Sequence, residues 1–130
     1  MKKYGRKTRD IVFFSTKNQT TLCVHSPQAR RYAKLLEEDT RIRSYEVNHP
    51  LDAAWIARID RVGIRGAYMQ TQWTTDFVIM AQDGGEAVRE IVTVDLLEKR
   101  AEIEKLELSR RYWKARGVED WRLVLTGEAE

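Results

Sequence analysis

The feature that most constrains this chain is a long helical pattern set between two strand patterns near its C-terminal end. From about Leu97 to Arg116, Ala101, Leu108, Tyr112 and Ala115 lie along one stripe, with Leu106 and Trp113 beside it. Glu98, Glu102 and Glu104 come early and Arg110, Arg111, Lys114 and Arg116 late, which complements a helix dipole, and Gly117 stops the helix. The early glutamates read as a solvated face. Ala87 to Asp95 before it alternates as a strand, with Val88, Glu90, Val92 and Val94 on one face. Trp121-Arg122-Leu123-Val124-Leu125 after it reads as a closing, central strand. A helix between two such strands is a crossover that returns the chain to the same sheet.

Upstream, Ile11–Phe14 and Thr21–His25 read as a hairpin around Thr16-Lys17-Asn18-Gln19. Ser26 then N-caps a helix with Pro27 at its first position and Ala29, Tyr32, Ala33 and Leu36 on one stripe, ending near Glu38. Arg41–Val47 reads as a strand stopped by Asn48-His49-Pro50. Leu51, Trp55, Ile59 and Val62 give a short helix ending at Gly63. Tyr68–Met80 reads as one extended or two broken strands, and Asp83-Gly84-Gly85 turns the chain into Ala87–Asp95. Apart from the hairpin and short helix the order is α-β-β-β-α-β, an α/β fold with a mixed central sheet flanked by helices.

The 130 residues fit a single domain over 11–127 behind a basic arm, 1–10. Hydrophobic residues at 42% and charged residues at 33% exclude a disordered chain. No apolar run reaches the roughly 20 residues of a membrane span, and the basic N-terminus lacks a signal peptide's apolar stretch. Cys23, the one cysteine, supplies neither a disulfide nor a zinc spacing and suits a reducing cytoplasm; it reads as a small buried apolar residue. His25 and His49 read as loop or strand-end residues without matching ligands, the four tryptophans as packing, and Glu37, Glu38 and Asp39 as solvated. The net charge of +3 is clustered: Lys2, Lys3, Arg6, Lys7 and Arg9, then Arg30, Arg31 and Lys34, then Arg110, Arg111, Lys114 and Arg116. Such clusters suit phosphate neutralisation, so Lys2, Lys3, Arg6, Lys7, Arg30, Arg31, Arg110 and Arg111 are candidate DNA contacts.

Three stretches carry a resemblance. Glu104-Lys105-Leu106-Glu107-Leu108-Ser109-Arg110-Arg111-Tyr112-Trp113 looks very like the second-core-helix signature of TnsA-type endonuclease subunits of heteromeric transposases. Arg65-Gly66 followed by Thr74-Thr75-Asp76-Phe77 is similar to that family's central catalytic strand, and Ser26–Leu51 to its first helix and strand. Together they span roughly residues 20–126. The resemblance is to the N-terminal nuclease domain, in a short or trimmed version without the winged-helix C-terminal domain of longer members. It implies a restriction-endonuclease-like (PD-(D/E)xK) core, αβββαβ, with the hairpin added. It further implies Mg²⁺ or Mn²⁺ as cofactor, and as partners DNA, a DDE-type transposase subunit and an ATPase regulator, but no membrane.

The family's set is a glutamate on the first helix, an aspartate on the central strand and a lysine at the end of the next strand. Carried over, the aspartate falls on Asp76, the glutamate on Ala29 and the lysine on Asp95. One reading is a dead site, a pseudo-nuclease that binds DNA or docks on a protein. A second is a rearranged site in which Asp76 and Asp95 hold the metal and Lys99 or Lys105 replaces the lost ammonium. A third takes Ala29 as an introduced inactivating substitution.

Overall fold

The structure, a computed structural model, describes residues 10–127. Strands β1 (Ile11–Ser15) and β2 (Thr20–Val24) form the expected antiparallel hairpin, with Ile11 opposite Val24 and Ser15 opposite Thr20. The helix α1 (Pro27–Glu38) starts as its sequence requires: Ser26 Oγ accepts from the Ala29 N–H at 3.0 Å, and Pro27 sits where no N–H is needed. Its buried stripe is Gln28, Ala29, Ala33 and Leu36.

A four-stranded sheet follows in the order β3-β4-β5-β6, made of β3 (Ile42–Pro50), β4 (Thr74–Ala81), β5 (Glu86–Thr93) and β6 (Asp120–Thr126). The first three run antiparallel and β6 runs parallel to β5, so the sheet is mixed. Between β5 and β6 comes α3 (Arg100–Ala115). It ends in a Schellman arrangement: Gly117 has φ +89°, its N–H bonds Lys114 O, and the Val118 N–H reaches back to Trp113 O at 2.9 Å. Two cores cover the two faces of the sheet. Val78, Val88, Leu108, Tyr112, Trp113 and Val118 pack on the α3 side. Ala33, Leu36, Tyr45, Phe77, Ile79 and Val24 pack on the side of α1 and the hairpin.

Several sequence expectations need correction. Strand β3 continues through Asn48-His49-Pro50. It is an edge strand, where a proline leaves no ladder bond unmade, and Asn48 absorbs the irregularity with φ +51°. The segment from Leu51 to Gly63 holds only the single-turn α2 (Ala53–Ile56), capped by Asp52; Ile59 is buried but Val62 is exposed. Residues Gly66–Gln70 form a 3₁₀ turn, leaving β4 to start at Thr74. Strand β5 stops at Thr93, and Val94–Glu98 form a second 3₁₀ turn, so α3 begins at Arg100. On α3 the buried face is Glu104, Leu106, Leu108, Ser109, Tyr112 and Trp113, whereas Ala101 and Ala115 are exposed. Strand β6 is an edge, not a centre.

Candidate active site at the splayed end of the central strands

Strands β4 and β5 are paired only from Phe77–Met80 against Arg89–Glu86. Beyond Phe77 the ladder ends, although β4 reaches back to Thr74 and β5 forward to Thr93. Continuing the register would set Asp76 opposite Glu90, and here carboxylates replace carbonyls as acceptors. Glu90 Oε1 accepts from the Asp76 N–H at 3.1 Å, and Asp76 Oδ2 accepts from the Ile91 N–H at 2.7 Å. The backbone on the other side of β4 is irregular as well. Asn48, on the strand β3 that flanks Asp76, is left-handed and is missing from the β3–β4 register, which pairs Val47 with Phe77 and then His49 with Thr75. Strict alternation would put Thr75 on the face of Phe77, yet its Oγ1 accepts from Trp113 Nε1 on α3 at 2.7 Å.

A chain of donors fixes Glu90. Trp121 Nε1 donates to Ser109 Oγ at 3.0 Å, and the Ser109 hydroxyl donates to Glu90 Oε2 at 2.5 Å. Glu90 is 4% exposed, while Asp76 is partly open to solvent. Glu90, Lys105, Ser109, Thr74 and Trp73 line one small cleft. Burial, followed by the neighbouring Asp76 charge, pushes the Glu90 carboxyl up to about 7. Burial also raises Asp76, against the Ile91 N–H and the charges of Lys105 and His25, which favour its ionised form; Glu102 opposes them. One buried and one partly exposed carboxyl thus lie side by side, both with raised pKa values.

The residues expected from the sequence divide sharply. Asp76 is at the site. Asp95, expected as its companion, is exposed in the 3₁₀ turn after β5, because the strand ends two residues before it. The carboxylate that meets Asp76 is Glu90. Lys99 is exposed at the N-cap of α3, whereas Lys105, one and a half turns on, lines the cleft. Ala29 is buried in the α1-side core. Lys2, Lys3, Arg6 and Lys7 lie outside the described residues. Arg30 stacks on the Phe13 ring at 4.1 Å, and Arg31 is exposed on α1. Arg110 and Arg111 both pair with Glu107, and Arg111 also donates to Asp60 O.

The signal for Glu90 is present in the chain: it is the one carboxylate between Val88 and Val92 on an otherwise apolar face. Alternation alone gives no reason to choose it over an exposed position. Three other side chains depart from the sequence reading. Glu104, read as solvated, is buried against Arg65 and Arg100. Glu37 accepts from Ser15 Oγ, Tyr45 OH and the Lys17 N–H. His25 is brought to Asp10 and Cys23. The tryptophans pack as expected, with Trp113 buried and Trp55, Trp73 and Trp121 partly buried against the α3-side core. No protein-family model matches the chain, and no curated protein matches it.

Proposed function

We propose that this chain is a TnsA-like subunit of restriction-endonuclease-like fold that acts on DNA in transposition or another mobile-element or phage process. The observation that carries the reading is the meeting of Asp76 and Glu90 across the splayed ends of β4 and β5, with Lys105 on the same cleft as Glu90. Supporting it, the helix, three-strand meander, crossover helix and parallel last strand follow the order that the resemblance implies.

The donor set fits a hard divalent ion. Asp76 and Glu90 offer carboxylate oxygens, the ligands that Mg²⁺ and Mn²⁺ prefer, and Asp76 is reachable from solvent. A cation there would favour the ionised form of both carboxyls, which burial raises. When bound, such an ion polarises a phosphate and lowers the pKa of an attacking water. Ser109 and Trp121 hold Glu90 in place, and the Lys105 ammonium offsets negative charge at Asp76. The expected partners are DNA, a DDE-type transposase subunit and an ATPase regulator, in the cytoplasm.

The second reading is a pseudo-nuclease that binds DNA or docks on a partner without cutting. It is favoured by Ala29 and Asp95, which stand where the resemblance places the family's glutamate and lysine. Titration of Mn²⁺ by calorimetry separates the two. The cleaving reading expects saturable binding, abolished in Asp76→Ala and weakened at least about tenfold in Glu90→Gln. No binding by the unaltered chain would sink it and leave the docking role. Salt-sensitive DNA binding fits both readings.

A further inference from the structure

On the hairpin, three side chains of different chemistry converge. Asp10, Cys23 and His25 each offer one ligand atom, and these atoms all lie within 4.8 Å of one another. The hairpin explains the meeting. Cys23 and His25 are two apart along β2 and its end, so they project from the same face. With Ile11 opposite Val24 and Val12 opposite Cys23, the register continued by one residue sets Asp10 across from His25. The His25 Nδ1 and Asp10 Oδ1 are already 3.0 Å apart.

We propose that Asp10, Cys23 and His25 form a binding site for a transition-metal ion of the zinc type. A thiolate, an imidazole and a carboxylate are the three ligand types that zinc takes, and a set of three leaves one tetrahedral position open. Residues 1–9 contain no Asp, Glu, His or Cys, so the basic arm has no acidic, imidazole or thiol ligand for the fourth position, which falls to water or an exogenous anion. The soft sulfur distinguishes this site from the all-oxygen pair of Asp76 and Glu90, which suits Mg²⁺ or Mn²⁺. The two sites therefore sort metals by ligand chemistry, and this one does not depend on the nuclease reading.

Cobalt(II) is the probe, because a thiolate ligand gives it a sulfur-to-metal charge-transfer band and tetrahedral coordination gives it strong visible bands. Titrated into the reduced protein, Co²⁺ is expected to saturate at one equivalent with both signatures. Zn²⁺ should abolish both, and excess Mg²⁺ should leave them. Cys23→Ser should remove the charge-transfer band. His25→Gln and Asp10→Asn should each weaken binding at least about tenfold. Asp76→Ala should change nothing. Asp10 and His25 are exposed and Cys23 is partly so, so the metal-free variants should melt as the parent does. Absence of the charge-transfer band in the parent overturns the proposal. So does an unchanged Co²⁺ midpoint in both His25→Gln and Asp10→Asn, which would reduce the signal to a lone thiol.

Discussion

Two hydrogen-bonded glutamates on opposite faces of the sheet, Glu37 and Glu90, differ in the direction of their acidity. On the hairpin side, Glu37 receives the Ser15 hydroxyl, the Tyr45 hydroxyl at 2.6 Å and the Lys17 N–H at 3.0 Å. Burial works against its ionisation, but these donors outweigh it and the carboxyl lies below its ordinary value. On the α3 side, Glu90 also accepts hydrogen bonds, from Ser109 and the Asp76 N–H, yet its carboxyl is raised. Deeper burial and a second carboxylate next door make the difference. Glu104, also on α3, behaves like Glu37: bonds from the Arg65 side chain and N–H and from Arg100 take it down to about 2. Carboxylates that hold the fold together are supplied with donors or cations that favour their charge. At the Asp76–Glu90 pair the donors present do not offset burial, and the pair sits in a splayed opening near a lysine.

The largest expected effect tests the structural side. Glu37→Ala leaves the buried Ser15 and Tyr45 hydroxyls and the Lys17 N–H without their acceptor, and should cost about 4 kcal/mol in urea denaturation. A loss below about 1 kcal/mol would mean that water replaces the carboxylate and that the contrast is weaker than drawn.

The next tests the pair. Glu90 has a folded pKa above its unfolded value, so its full contribution to stability is present below pH 4.5 and is lost as pH rises through about 7. Stability of the metal-free protein should fall by about 3 kcal/mol across that window. Asp76, also raised, adds in the same direction. Glu90→Gln should remove most of the slope, measured as denaturation midpoints at pH 5 and 8. An unaltered slope would place the raised acidity elsewhere.

The smallest effect belongs to Glu104. Its lowered carboxyl contributes stability above its ordinary value of 4.5, lost as pH falls through about 2. Arg65→Gln should lower Tm slightly at pH 7 and make little difference at pH 2. Arg65 is 45% exposed on its side chain, so screening keeps the effect below that of Glu37→Ala. An equal Tm loss at both pH values would assign the role of Arg65 to its stacking on Tyr68 instead.

Much of this arrangement was legible in the residues. The Ser26-Pro27 start of α1, the Gly117 stop of α3, the Asp83-Gly84-Gly85 turn and the crossover to β6 are local signals, each set by one or two residues and their backbone preferences. Asp76 was reached only through the resemblance carried by Thr74-Thr75-Asp76-Phe77. Glu90 was not legible, because period-2 alternation reports which positions share a face and not what lies opposite. Asp95 was chosen because the resemblance sets it at the family's lysine position on an apparent strand, but that strand ends at Thr93. The Asp10–Cys23–His25 group was hidden for the same reason as Glu90. Its members are spread over 16 residues, and only the hairpin register brings them together.

By itself the sequence determined the elements, their order and the two-sided burial of the sheet, since helix caps, turns and apolar periodicity act over a few residues. Only the tertiary structure decided where β4 and β5 part, which carboxylate faces Asp76, and which glutamates are neutralised by arginine. The physical reason is range. Propensity and patterning are local, whereas a carboxyl's acidity and a ligand set depend on groups that the chain brings together from distant positions.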